Sequence, residues 1–126
     1  MKDTIFADLN LFGPNLVSSY LKLWENPETG LPLKAALRSA ITNNEARDVF
    51  TRFLTGELYR YIGQYIVAED ADRRLAFAGS QLVGLALMRY LLDVEPLASA
   101  SHDEVVKTVG PVVQWYLIDG KESDLR

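Results

Sequence analysis

At 126 residues the chain has room for one domain that buries about two-thirds of the surface its unfolded form would expose, and it carries 48% hydrophobic residues, no cysteine and a single histidine, His102. The absence of cysteine excludes disulfide staples, thiolate zinc sites and cysteine nucleophiles. A formal net charge of −4 and a pI near 4.9 exclude the clustered Lys and Arg of a sequence-independent phosphate-binding surface.

The N-terminal MKDTIFADLN has neither the basic region, nor the apolar core, nor the small-residue cleavage site of a secretory signal. The apolar runs stop short of the roughly 18 to 20 residues a membrane span needs. A cytoplasmic protein without a membrane partner is the expectation.

Pro, Gly and Asn divide the chain into five predicted helices, with no alternating run long enough for a strand. The first covers 14–26, opening at GPN, with Leu16, Tyr20, Leu23 and Trp24 at helical spacing; Pro27 stops it and ETG turns the chain. The second runs from Leu31 to Thr42, with Pro32 in its first turn and Leu33, Leu37 and Ile41 on one face. Asn43 or Asn44 caps the third. That helix, 44–67, has a wide apolar stripe of Val49, Phe50, Phe53, Leu54, Leu58, Tyr61, Ile62, Tyr65 and Ile66, interrupted by Gly56 and Gly63. A glycine in a helix interior costs about 1 kcal/mol against alanine, so both are expected where helices pack closely.

Glu69, Asp70 and Asp72 lie at the start of the fourth helix, which runs to Leu92; they complement its positive end rather than cluster around a metal. Ser101 and Glu104 form a capping-box pattern ahead of the fifth helix, 102–118. Pro111 predicts a kink there. Residues 1–13 read as a lead-in or linker remnant, 14–118 as the helical domain and 119–126 as a polar, fraying tail. The fold class is all-α.

Nothing matches a phosphate loop or a serine-nucleophile elbow, and a lone histidine at a helix start is a surface capping residue before it is a ligand. No enzyme activity, metal or cofactor is expected. The large aromatics, Tyr20, Trp24, Phe53, Tyr59, Tyr61, Tyr65, Phe77, Tyr90, Trp115 and Tyr116, read as core residues. A sharper reading takes Tyr20, Trp24, Phe53, Tyr61, Tyr65 and Trp115, with Arg38, Gln81, Met88 and Gln114, as the lining of a small-molecule pocket.

The fourth helix is apolar on nearly every side, which predicts burial on more than one of them. Leu75, Ala78, Gly79, Leu82, Ala86 and Arg89 recur at helical spacing and are mostly small, so another helix can come close. The fifth helix has a second wide stripe, Val105, Val109, Val112, Val113, Tyr116 and Leu117. Doubled by a twofold axis, the two helices make an intermolecular four-helix bundle in a homodimer.

The run RRLAFAGSQLVGLALMRYLLDVEPLASASHDEVVKTVGPVVQWYL resembles the C-terminal end of TetR-type transcriptional regulators, particularly those common in actinobacteria. Upstream, LKAALRSAITNNEARDVFTRFLTGEL is similar to the middle helices of the same family, so the resemblance spans 14–118. It implies an all-α domain that dimerises through its last two helices and binds an inducer among the others. On this sequence it places Ala78, Gly79, Leu82, Val83, Ala86, Arg89, Tyr90, Val109, Val112, Val113 and Tyr116 near the partner subunit. It assigns no ligand residue, since pockets vary within the family.

The family's helix-turn-helix domain should precede this segment, and only a short lead-in does. The expectation is therefore the effector-binding and dimerisation domain of a TetR-like repressor. Its inducer is a largely apolar small molecule, and operator DNA is reached only through a helix-turn-helix outside this chain. The alternatives are a stand-alone helical dimer that binds an apolar small molecule, or a small helical enzyme.

Overall fold

The computed structural model describes residues 8–62 and 68–120. Asp8 starts the described chain by accepting a hydrogen bond from the Asn10 N–H, and a 3-10 turn, Leu9–Leu11, leads into α1, Phe12–Glu25. Among the described residues four further α-helices follow: α2 Pro27–Thr42, α3 Asn44–Ile62, α4 Ala68–Ala86 and α5 His102–Gln114. Both α4 and α5 end in a π turn, Leu87–Leu91 and Trp115–Asp119.

The five predicted helices are present, with one boundary corrected. Pro27 does not merely stop the first helix but occupies the first position of the second, where its missing N–H costs nothing. Asn26 caps that helix by accepting from the Glu28 N–H at 3.0 Å, so ETG is helical and Pro32 lies inside α2. The tight α1–α2 corner depends on Gly30, because a Cβ there would sit 2.0 Å from the Trp24 carbonyl oxygen. The remaining caps follow the sequence: Asn43 accepts from the Ala46 N–H at 2.9 Å, and Ser101 from the Glu104 N–H at 3.1 Å.

α1 is the central helix. Its Phe12, Leu16, Val17 and Leu21 meet Leu75, Ala78, Leu82 and Leu85 of α4, and Val105, Val113 and Leu117 of α5 and its π turn, in the main core. A smaller cluster joins Trp24 to Leu37 of α2 and Ala86 of α4. The predicted stripes of α2 and α3 are only half used. Ile41, Val49 and Phe53 remain exposed, while Leu37 is buried and Phe50 and Leu54 pack inward. Gly56 has open space where a Cβ would project, so close packing is not what it supplies; Gly63 lies outside the described residues.

Close packing occurs at two other glycines. Where α1 crosses α5, a Cβ on Gly13 would lie 2.4 Å from both the Gln114 nitrogen and the Gly110 carbonyl oxygen, and one on Gly110 would lie 2.8 Å from Pro14 Cα. The buried Gln114 amide seals the crossing: its Oε1 accepts from the Gly13 N–H at 2.6 Å and its Nε2 donates to the Leu9 carbonyl at 2.6 Å. Gln114, expected in a ligand pocket, is thus spent on the backbone of Gly13 and Leu9.

Pro111, where a kink was expected, lies on the exposed side of α5; it leaves the Lys107 carbonyl without a helical donor on the solvent side, and the helix continues to Gln114. The departure from α geometry comes later, in the π turn, which closes with Gly120 N–H donating to the Trp115 carbonyl at 2.6 Å. Arg74 of α4 holds that end. It pairs with Asp70 at 2.5 Å and donates to the carbonyls of Tyr116 and Gly120. Asp70, read from sequence as complementing the helix end, is therefore a buried ion-pair partner.

Gly13→Ala should lower stability by about 1–3 kcal/mol through overpacking, and Gln114→Leu by about 1–3 kcal/mol through the orphaned Gly13 N–H. Urea denaturation followed by circular dichroism checks both. The double variant should cost less than the sum, because the two sites share one contact.

Candidate functional site

α4 has three sides, set by its 3.6-residue period. The first, Ala71, Leu75, Ala78, Leu82 and Leu85, is filled by the protein's own core. The second faces α3 and forms the wall of a groove. The third, Phe77, Gln81, Gly84 and Met88, looks outward beside Val112 and Trp115 of α5 and its π turn.

The groove has a volume of about 390 Å³, within the range of small-molecule sites. Thr51, Leu54 and Thr55 line it from α3; Asp72, Leu75, Ala76, Gly79, Ser80 and Val83 line it from α4. It opens because these facing residues are short: a hydroxyl, a glycine or an alanine stands where large side chains would close the helices together. Two wider hollows, about 540 and 490 Å³, lie over the Gly56 notch of α3 and the α2–α3 corner; each is shallow, and the first is lined by one helix alone.

The outward side carries exposed apolar groups on both helices, with Gln81 among them. Phe77 of α4 stacks on Tyr116 at 5.7 Å between ring centroids, and Trp115 packs edge-on to Tyr116 at 5.5 Å. Phe77, Met88, Val112 and Trp115 each keep 40–42% of their surface exposed. Gly84, in the middle of this side, has nothing within 4 Å of where a Cβ would project.

At the end of α4 the π turn adds a residue to the helical circuit and turns Arg89 inward. Arg89 donates to the carbonyls of Leu97 at 2.7 Å and Ala100 at 2.9 Å, and lies 3.6 Å from the Glu25 carboxylate. The connecting segment 92–101 is thereby tied to the bundle. Asp93, at φ 50°, reverses the chain after the turn; an aspartate tolerates that left-handed region better than most residues do. Next to Arg89, Tyr90 stacks flat on Trp24 at 5.8 Å and donates its hydroxyl to Glu25. Tyr20, at the other edge of Trp24, donates to the Leu82 carbonyl at 2.6 Å.

Of the residues predicted for a pocket, Tyr20 and Trp24 come together, but in a packed aromatic junction. Arg38 and Phe53 are exposed on α2 and α3, Gln81, Met88 and Trp115 are exposed on the outward side, and Gln114 is at the α1–α5 crossing. Tyr65 and the side chain of Tyr61 lie outside the described residues. Of those predicted near a partner, Ala78, Leu82, Ala86 and Val113 are fully buried within the protein and Arg89 is held inside it. Gly79 and Val83 border the groove, and Tyr90 covers Trp24. Val109, Val112 and Tyr116 are on or beside the outward side. The small-residue stripe was thus a packing stripe for α1 and α5, and the outward side runs one or two positions away from it.

His102, read as a surface cap, is half-buried, with Nε2 2.9 Å from Ser18 Oγ. The groove residues Thr51, Thr55, Asp72, Ala76 and Ser80 were missed because attention to large aromatics favours residues that fill space. The available clue was the i, i+4 spacing of short side chains, Thr51 with Thr55 and Asp72 with Ala76 and Ser80.

A family model described as tetracyclin repressor-like, C-terminal domain, matches residues 11–117. Among solved structures, the chain is similar to a TetR-family regulator from Streptomyces coelicolor A3, with 33% identity and a TM-score of 0.65 over 92% of this chain and 80% of that one. No curated protein matches.

Arg89→Met should strip two carbonyls of their donor and cost about 1–3 kcal/mol, with a change in Trp24 fluorescence as the stack with Tyr90 loosens. Both tyrosine hydroxyls stay protonated well above the ordinary value of 10.0, Tyr20 through burial, and Tyr90 through burial first and then its bond to Glu25. Their folded values lie above the unfolded one, so the stabilisation is complete below pH 10 and is lost as pH rises past it. Stability measured across that range should fall, and Tyr20→Phe or Tyr90→Phe should flatten the fall.

Proposed function

The chain belongs to the tetracyclin repressor-like C-terminal domain family of TetR-type regulators, and from that premise we propose that it forms a homodimer through the outward side of α4 and α5 and takes a small-molecule inducer in the α3–α4 groove. Regulators of this family typically dimerise and bind effectors and DNA, and the family is not enzymatic. One observation carries the reading: the protein's own core fills one side of α4, while Phe77 and Met88 on another side stay exposed.

The outward side suits a second copy of the same helices. Its exposed aromatics and aliphatics supply apolar area, and Gly84 at its centre permits close approach of a symmetry-related helix. A twofold axis there produces a four-helix bundle from the last two helices of each subunit. The groove lies on the opposite flank of α4, so a ligand seated in it pushes on the helix that carries the interface. An inducer that prefers one α3–α4 spacing shifts the dimer toward one relative placement of its subunits. In an intact repressor this placement sets the separation of the paired recognition helices against successive major grooves, and the inducer releases the operator.

Sedimentation velocity should show a dimer. Val112→Glu with Trp115→Glu should give a monomer of unchanged helical content, since both residues are exposed in the subunit; a persistent dimer would move the interface elsewhere. A thermal-shift screen tests the groove. A ligand at a hundred times its Kd stabilises by about 2.7 kcal/mol, and Ala76→Trp, which fills the groove, should abolish the shift.

A further inference from the structure

We propose that the ligand taken by the α3–α4 groove is a protonated amine on an apolar body. This rests on the reading of that groove as the effector site and adds the ligand's chemistry to it.

Among the nine described residues that line the groove, Asp72 is the single ionisable one. It makes no hydrogen bond or ion pair with any described residue. The basic residues adjacent to the lining in sequence are turned elsewhere. Arg52 donates from Nε to the Asp48 carbonyl on its own helix at 3.3 Å, and the Arg73 guanidinium lies over the Phe77 ring at 5.9 Å, on the outward side. Among the described residues no cation therefore neutralises the carboxylate.

Ser80 lies eight residues, about 12 Å, further along α4, and its hydroxyl is committed to the Phe77 carbonyl at 2.6 Å, so Asp72 is the group that would recognise a charged ligand. A carboxylate accepts; an ammonium supplies donors and charge together. Leu54, Leu75, Ala76 and Val83 form the apolar wall for the rest of the molecule. An anionic ligand would meet Asp72 with like charge, in a protein that already carries a net charge of −4.

The test uses three probes with one skeleton, 4-phenylbutylamine, 4-phenylbutan-1-ol and 4-phenylbutyrate, titrated by calorimetry into the full chain, Asp72→Asn and Ala76→Trp. The amine should bind more tightly than the alcohol, and the acid least. Asp72→Asn, at an exposed position, should weaken the amine about two- to five-fold, the span of a solvent-exposed ion pair, and leave the alcohol unchanged. Ala76→Trp should abolish binding of all three. Equal affinities for the probes, or an amine indifferent to Asp72→Asn, with Ala76→Trp still blocking them, would overturn the amine and leave the groove standing. Absence of binding by every probe, or binding untouched by Ala76→Trp, would overturn both.

Discussion

The contact between Gly13 and Gly110 sets the geometry on which the rest of the bundle depends. Two helices can approach with their backbones almost touching only where neither carries a Cβ, and here Gly13 meets the Gly110 carbonyl and the backbone of Gln114. Such proximity buries peptide groups at the start of α1, whose first N–H groups have no partner within the helix. The Gln114 side chain resolves this by accepting from Gly13 and donating to Leu9 at once. With α1 and α5 fixed at this distance, Leu16, Val17 and Leu21 reach Val113 and Leu117, and α4 closes the core from its other side.

Fixing α4 in that position has a second consequence. Its inner side is committed to α1 and α5 along its length, and Arg74 and Arg89 tie its two ends to carbonyls of neighbouring segments. Rotation about its own axis would break both sets of bonds. The groove side and the outward side therefore hold a constant angular relation, so under the proposed effector reading a displacement of α4 produced in the groove would reach the outward side as a rigid-body shift. A helix free to roll would absorb it.

The sequence made the helices legible through their punctuation and caps. Asn43 and Ser101 cap as their residue types predict, and the apolar period located each helix. What it misjudged were residues whose role depends on a distant neighbour. Pro27 reads as a stop when taken alone and as a first helical position once Asn26 is seen to cap. Gln114 has the look of a pocket residue, because nothing in the chain nearby shows that Gly13, a hundred residues earlier, needs an acceptor. Gly56 and Gly13 are indistinguishable in the sequence, yet one faces open space and the other a backbone.

The sequence by itself determined an all-α domain of five helices, the family it belongs to, and the excess apolarity of the fourth helix. Those properties are local: they follow from periodicity, caps and the residue types in a continuous stretch. The tertiary structure alone decided which side of that helix is core, which is groove and which is outward. Periodicity fixes the angles between residues on a helix but not the rotation of the helix against its neighbours. That rotation was set by Ala78, Leu82 and Ala86 burying themselves in this protein's own interior, leaving Phe77, Met88, Val112 and Trp115 to face outward.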